Sequence, residues 1–291
     1  GSLLRLRHLD RHARALATVN KARAMMKLAL LHPGAMGAAL GASLLAAGHQ
    51  VRWCAEGRSA ASRRRAEALG LKEAPSLGAA LVGVDAVLSI VPPHGALSLA
   101  QAVAGEGYAG PYFDLNGISP ETAEAVAACF PPGAYGDGAV VGLPPGEGKT
   151  ATLLMSAGAA ERLASFGPRF VPQVVPEAAG PYGASALKNA FAAWSKGSSA
   201  LLLSVEALAQ ALGLKEDLHV LWDRHSPGLR NRATATGQAL APKAWRFVGE
   251  MEEIAATFRA AGLSPGAFEA AAEVYGNLAG GAETPSRVQD P

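Results

Sequence analysis

Short apolar runs alternate with one-sided apolar segments over the first 180 residues. Lys27–Leu31 and Asp85–Val91 are too continuous for a half-exposed strand and too short for a helix, so each reads as a strand buried on both faces, and Gln50–Cys54 reads as a second strand between them. Strands at 111–115, Tyr135–Val140, Thr150–Ser156 and 170–175 continue the series. Helices are predicted at Ala35–Ala47, 59–69, 95–104 and 120–129 between them. Strand and helix in alternation imply a doubly wound, mostly parallel sheet covered on both sides. Past residue 180 the texture changes. Ala184–Leu212 contains no proline and one glycine, enough chain for roughly 40 Å of helix. Helical patterns at 215–225, 242–261 and 265–279 follow. The expected architecture is an α/β domain over 27–180 and an all-α domain over 181–280, joined by a long helix, with an extension over 1–26 and a tail over 281–291.

Composition narrows the class. Hydrophobic residues make up 49% of the 291 but aromatics only 6%, so Ala, Leu, Val and Gly must build the core. The 34 glycines follow no three-residue period, which excludes collagen, and 17% charged residues exclude wholesale disorder. Cys54 and Cys129 are too few for a disulfide framework or a cysteine-rich metal site. The chain reads as a reduced, soluble, cytoplasmic protein with no metal.

The net charge of +2 is unevenly spread. Six basic residues against Asp10 give the first 26 residues +5, which leaves −3 for the rest. A mildly acidic body without a basic stripe gives nucleic acid nothing to hold. The arm has the composition of a transit peptide; the plainer reading is a non-native or frayed extension, with a cloning remnant at Gly1-Ser2 and a natural start at Met25 or Met26. Leu28–Gly48 lacks acidic and basic residues and is long enough to span a bilayer. Pro33, Gly34, Gly37 and Gly41 break it into strand, turn and helix, so no membrane association is expected.

That turn, His32-Pro33-Gly34-Ala35-Met36-Gly37, is the first candidate for chemistry. A dinucleotide fingerprint spaces glycines so that the strand turns sharply and backbone approaches a pyrophosphate. Gly34 and Gly37 fit its second and third glycines, and His32 replaces the first. The context makes the domain Rossmann-like and NAD(P)-binding. At the end of the second strand, Glu56 is placed to bind ribose hydroxyls, as NAD requires. Arg58 and Ser59, with Arg63 a turn later, suit a 2′-phosphate and favour NADP, with NAD left open. Val91-Pro92-Pro93-His94 ends the third strand beside the expected crevice, and Asn116 and Ser119 follow the fourth. Ser119 before Pro120 is equally a plain helix cap. Gly142–Thr150 imitates a phosphate loop, but its glycine spacing is one residue too long and Pro144 and Pro145 lack amides. Lys188 is the only charged residue between Glu177 and Lys196. It either snorkels to water or sits in a cleft with a lowered pKa.

Together these pieces resemble the β-hydroxyacid dehydrogenase superfamily, which includes 6-phosphogluconate dehydrogenase, and within it the branch carrying a DUF1932-type carboxy-terminal domain. HPGAMG resembles the family's glycine turn, DLNGISP its next conserved stretch, and DGAVVG (137–142) its substrate loop. GASALKNAFAAWSKG resembles the segment with the catalytic lysine, and Ala244–Phe258 the carboxy-terminal domain. The resemblance implies Lys188 as acid/base, cofactor contacts from the glycine turn, Val91, Pro92, Pro93 and Asn116, and substrate contacts from Ser119, Val140, Val141, Gly142, Phe191 and Trp194. It implies a small-molecule hydroxy or oxo substrate and a homodimer through the helical domain. Two departures stand out: the family's substrate serine is Val141, and the asparagine after the lysine falls on Phe191, or on Asn189 out of register. Both make the pocket more apolar. The competing readings are an imine reductase-like enzyme, against which Lys188 argues, and a non-catalytic nucleotide sensor.

Overall fold

The computed structural model describes residues 25–162 and 165–281, so nearly all of the basic extension and the last ten residues lie outside it. Eight strands form one sheet: β1 (Lys27–Leu31), β2 (Gln50–Cys54), β3 (Lys72–Ala74), β4 (Ala86–Ser89), β5 (Tyr112–Asp114), β6 (Tyr135–Val141), β7 (Ala151–Ser156) and β8 (Phe170–Val175). Their order is β3-β2-β1-β4-β5-β6-β7-β8. All neighbours run parallel except β6 and β7, which are antiparallel with Gly138 opposite Met155. The order switches direction at β1, between β2 and β4, so a crevice opens at the carboxyl ends of β1 and β4.

Alternation along each strand supplies two cores. On one side Leu28, Leu30 and Trp53 meet Leu40 and Leu44 of α1 (Ala35–Ala46), Ala66 of α2 (Ala60–Ala68) and Ala159 of a later helix. On the other, Ala29, Leu31 and Tyr112 meet α3 (Leu77–Leu81), α4 (Ala96–Gly105) and α5 (Pro120–Ala127). α6 (Ala157–Arg162) completes the first side. Such double coverage is what continuous apolar strands predict.

Five helices follow: α7 (Gly183–Ala211), α8 (Lys215–His225), α9 (Leu229–Leu240), α10 (Trp245–Ala260) and α11 (Gly266–Gly281). Ala192, Ala193 and Ala200 of α7 pack with Met251 and Ile254 of α10 and Ala271 and Tyr275 of α11. The Tyr275 hydroxyl donates to the Lys196 carbonyl at 2.9 Å, and Lys196 pairs with Glu250. Internal contacts divide the described residues into two units, one ending at Lys188 and one beginning at Asn189. The boundary thus falls eight residues later than the change in texture at 180, because the first turn of α7 is fastened to the sheet.

Four elements carry no clear signal in the sequence. β3 is three residues, two of them charged and exposed, and α3 and α6 are single short turns. α9 buries only Ala233, so it offers no apolar stripe to read. No helix among the described residues is long and apolar enough to cross a membrane.

Candidate functional site

The glycine turn joins β1 to α1 at the switch in strand order. Gly37 is required by packing: a methyl group there would lie 2.1 Å from the His32 carbonyl oxygen. Gly34 is the reverse case, since a methyl there would meet nothing within 4 Å. It is exposed, occupies the N-cap position, and no side chain caps the helix. A helix start without a side-chain cap is a geometry that can accept an anion. His32 supplies no charge. Burial first, and the charge of Arg58 second, push its pKa down to about 3.

Positive charge comes from arginines instead. Arg58 donates to the Glu56 carbonyl at 3.2 Å, which curls it back over the end of β2. Arg65 of α2 donates to the Pro33 carbonyl at 3.3 Å and to Ser62 at 3.0 Å, so it stands against the glycine turn. Arg63 is drawn elsewhere, to Glu73 at 2.8 Å and the Ala55 carbonyl at 2.7 Å. Of the two, Arg65 and not Arg63 is the one that touches the glycine turn. Ser59 caps α2, accepting from the Ser62 amide at 3.3 Å. The Glu56 carboxylate accepts from the Leu77 amide at the start of α3, so the acid expected to hold ribose serves a helix end.

At the next strand end, Val91 donates its amide to Asn116 at 2.6 Å, and Asn116 donates to Ser89 at 3.0 Å. Asn116 is 2% exposed: it ties the loop after β4 to the loop after β5. Pro92 and Pro93 then open a single 3-10 turn, Pro93–Gly95, that carries His94 outward. Ser119 takes the cap position that Pro120 suggested. Buried at 1%, it caps α5 by accepting from the Thr122 amide at 3.1 Å.

Lys188 leaves α7 beside the loop after β5. A methyl on Gly117 would sit 3.8 Å from its Cε. The side chain is half-buried, and among the described residues its ammonium has no ion-pair or hydrogen-bond partner. Desolvation alone lowers its pKa below the usual lysine value. The turn beneath it is held by Asp137 of β6, whose carboxylate accepts from Ala184 and Ser185. Burial pushes that carboxyl up to about 6, against the pull of its hydrogen bonds.

The remaining predicted substrate contacts separate. Val140 lies in the core among the α1-side residues, because its neighbour Val141 takes the other face. Val141 packs partly against Leu154, Val175 and Ala184, near the start of α7. Gly142 turns the chain outward with φ +117. Phe191 and Trp194 are 56% and 77% exposed. They stand with Leu187, Leu201, Leu208 and Leu212, all exposed, in a seam whose four-and-three spacing Ser198 and Val205 complete. Both thus belong to one exposed helix face. Asn189, the out-of-register candidate, donates to Thr257 at 2.7 Å within the helical unit.

Comparison with known proteins adds the following. The family model for a domain of unknown function, DUF1932, matches residues 209–278. An uncharacterised 28.5 kDa protein from the 7S RNA 5′ region of Methanothermus fervidus is 30% identical over 170 residues, spanning 58% of this chain and 65% of that protein. Among solved structures, a conserved protein of unknown function with structural similarity to 3-hydroxyacid dehydrogenases is 26% identical, with a TM-score of 0.61 over 87% of this chain and 96% of that one. Mycobacterium tuberculosis 3-hydroxyisobutyrate dehydrogenase with L-serine gives 0.63 at 18% identity, over 88% and 94%. An imine reductase from Myxococcus stipitatus in complex with NADP+ gives 0.50 at 18%, over 88% and 95%. The chain has the two-domain fold of the 3-hydroxyacid dehydrogenases and carries a DUF1932 domain at its carboxy end.

The two glycines of the turn should respond oppositely to a methyl group. Gly37→Ala forces a backbone clash and is expected to cost about 3 kcal/mol or more of stability. Gly34→Ala should stay within about 1 kcal/mol of the parent. Urea melts of the two variants check this, and equal midpoints would contradict it.

Proposed function

We propose that the protein is an NAD(P)-dependent oxidoreductase of the β-hydroxyacid dehydrogenase type, interconverting a hydroxy and an oxo group on a small molecule with Lys188 as acid/base. The observation that carries this reading is a half-buried, unpaired lysine lying against Gly117, at the same end of the sheet as the glycine turn. The residues present fit a dinucleotide: Gly34 leaves a space, α1 offers its first amides, and Arg58 and Arg65 bring positive charge. A bound nicotinamide would supply or accept the hydride. Lys188 supports that exchange with a proton. As a neutral amine it takes the substrate's hydroxyl proton; as an ammonium it returns one to the oxo oxygen. Desolvation favours its neutral form relative to an exposed lysine, and among the described residues no acid pairs with it. Val141 in place of a serine gives the pocket an apolar wall, which suits a substrate bulkier or less charged than a short hydroxyacid. An imine reductase-like activity on the same fold is the second reading, favoured by the NADP+-bound neighbour. Cofactor oxidation with aldehyde acids and with cyclic imines separates the two.

Lys188→Met keeps the bulk and removes the amine. Turnover should fall by on the order of 10²–10⁴-fold with the Michaelis constant little changed, since the proton moves only toward the transition state. In the parent, the rate of alcohol oxidation should climb with pH as Lys188 loses its proton, and this limb should vanish in the variant. A lysine that merely snorkels would leave both untouched. Lys196→Met serves as the control, because Lys196 is committed to Glu250.

NADP is expected to bind more tightly than NAD, as Arg58 and Arg65 each offer a 2′-phosphate a charge-assisted bond of about 1.5–3 kcal/mol. Glu56, held at α3, does not compete for that role. Calorimetry on the parent, Arg58→Ala and Arg65→Ala tests this, and equal affinities for the two cofactors in the parent would refute it.

The exposed seam on α7 supports a homodimer, with a second copy as its occupant. Light scattering across a dilution series should give twice the mass of one chain, falling to one in Trp194→Glu or Leu201→Glu. A parent that stays monomeric at micromolar concentration would contradict the dimer.

A further inference from the structure

We infer that Asp137 is a positioning residue for Lys188: its carboxylate, supplied by β6, caps the first turn of α7 and so fixes where the lysine leaves the helix. The inference rests on the acid/base reading of Lys188 given above.

Asp137 is 0% exposed. One carboxylate oxygen accepts the Ala184 amide at 2.8 Å and the Ser185 amide at 3.2 Å; the other accepts the Ser185 hydroxyl at 2.6 Å. α7 begins at Gly183, so these amides are among the donors that a helix start cannot satisfy internally. Most helices take such a cap from the residue just before them. This one takes it from a strand 47 residues upstream. Lys188 follows Ser185 by three residues and Ala184 by four, which puts all three on one side of the helix. The capped turn is therefore the platform from which the lysine side chain departs.

The strand beside it repeats the device. Asp114 of β5 stands opposite Asp137 in the strand register. Its carboxylate accepts the Asn116 amide at 2.8 Å, one residue before the Gly117 that Lys188 lies against. Two adjacent buried carboxylates thus fasten the two elements that the lysine touches, the α7 turn and the β5 loop. The titratable groups facing Asp137 are Tyr135 on its own strand and Tyr182 just before α7, and its charge is among the causes that raise both hydroxyls. No cation is among the causes of its own shift. What holds Asp137 is hydrogen bonding to α7, and what α7 receives in return is a fixed first turn.

The test follows Lys188 directly. Lysines of the full chain are reductively methylated with carbon-13 formaldehyde, and the Lys188 resonance is assigned by its absence in Lys188→Arg. In the parent it should titrate below an ordinary lysine. In Asp137→Asn the charge that accepts the two amides and the Ser185 hydroxyl is lost, the turn loosens, and the Lys188 titration should move up by about one pH unit as the amine gains solvent. Ser185→Ala removes one of the three bonds and should give a smaller move in the same direction, and it carries the test should Asp137→Asn fail to fold. The Lys196 resonance should stay in place, because a general loosening of the fold would shift it too. With a working substrate, the turnover number should fall by about tenfold or more while the Michaelis constant and cofactor affinity hold. A Lys188 titration identical in the parent and both variants, or one that moves only together with Lys196, overturns the proposal. Retained turnover in Lys188→Met would instead overturn the acid/base reading and leave the titration result standing.

Discussion

A parallel sheet covered by helices on both faces excludes water from nearly all of its area. The interior of β1, β4 and β5 is accordingly apolar, with Leu28, Leu30, Val87 and Phe113 among the residues removed from solvent. Polar chemistry is confined to the loops at the carboxyl ends of the strands, where backbone groups have no sheet partner. The glycine turn, the Val91 loop, the Asn116–Gly117 loop and Lys188 all gather at that edge for this one reason. The constraint also dictates composition: α1 can approach the turn only because Gly37 leaves the His32 carbonyl free of a side chain.

Two residues stand against the constraint. A carboxylate buried without partners would take up a proton or unfold its surroundings. Asp114 and Asp137 persist inside the sheet because each accepts backbone amides that would otherwise be orphaned. The exchange is mutual, since an unsatisfied buried amide costs about 1–3 kcal/mol by itself. Neither acid is a surplus charge; each completes the hydrogen bonding of a loop or helix that the rest of the sheet cannot reach.

The sequence revealed most of the sheet and of its covering helices, because these depend on local pattern, and it singled out Lys188 for the same reason. Continuous apolar runs identify buried strands wherever they pair, and a lone charge in an apolar helix stands out in any phase. What stayed hidden depends on partners distant in the chain. Asp137 was legible only as part of a motif, although an aspartate between two glycines inside a strand is itself an anomaly. Nothing local marked Ala184 as its partner. Arg63, Arg64 and Arg65 look alike as a basic run; only the rotation of α2 sends Arg63 to Glu73 and Arg65 to Pro33. Asn116 and Ser119 were legible as polar groups at a strand end, but that one ties two loops and the other caps a helix follows from their partners. Glu56 stood at the right distance for a ribose, and the later helix α3 claims it.

Helix phase decides the last of these assignments. At 100° per residue, Phe191 stands roughly 60° round α7 from Lys188, and Trp194 roughly 120°. Ala192, about 40° from the lysine on its other side, is buried with α10 and α11. Phe191 therefore stands between Lys188 and the rest of the exposed seam. An aromatic residue that is 56% exposed at that border cannot be explained by packing within the chain. Burying it needs a surface from outside, and any surface laid along the seam ends within one turn of Lys188. The helix that carries Lys188 is therefore the same one whose exposed side presents this seam, with Phe191 at the junction of the two.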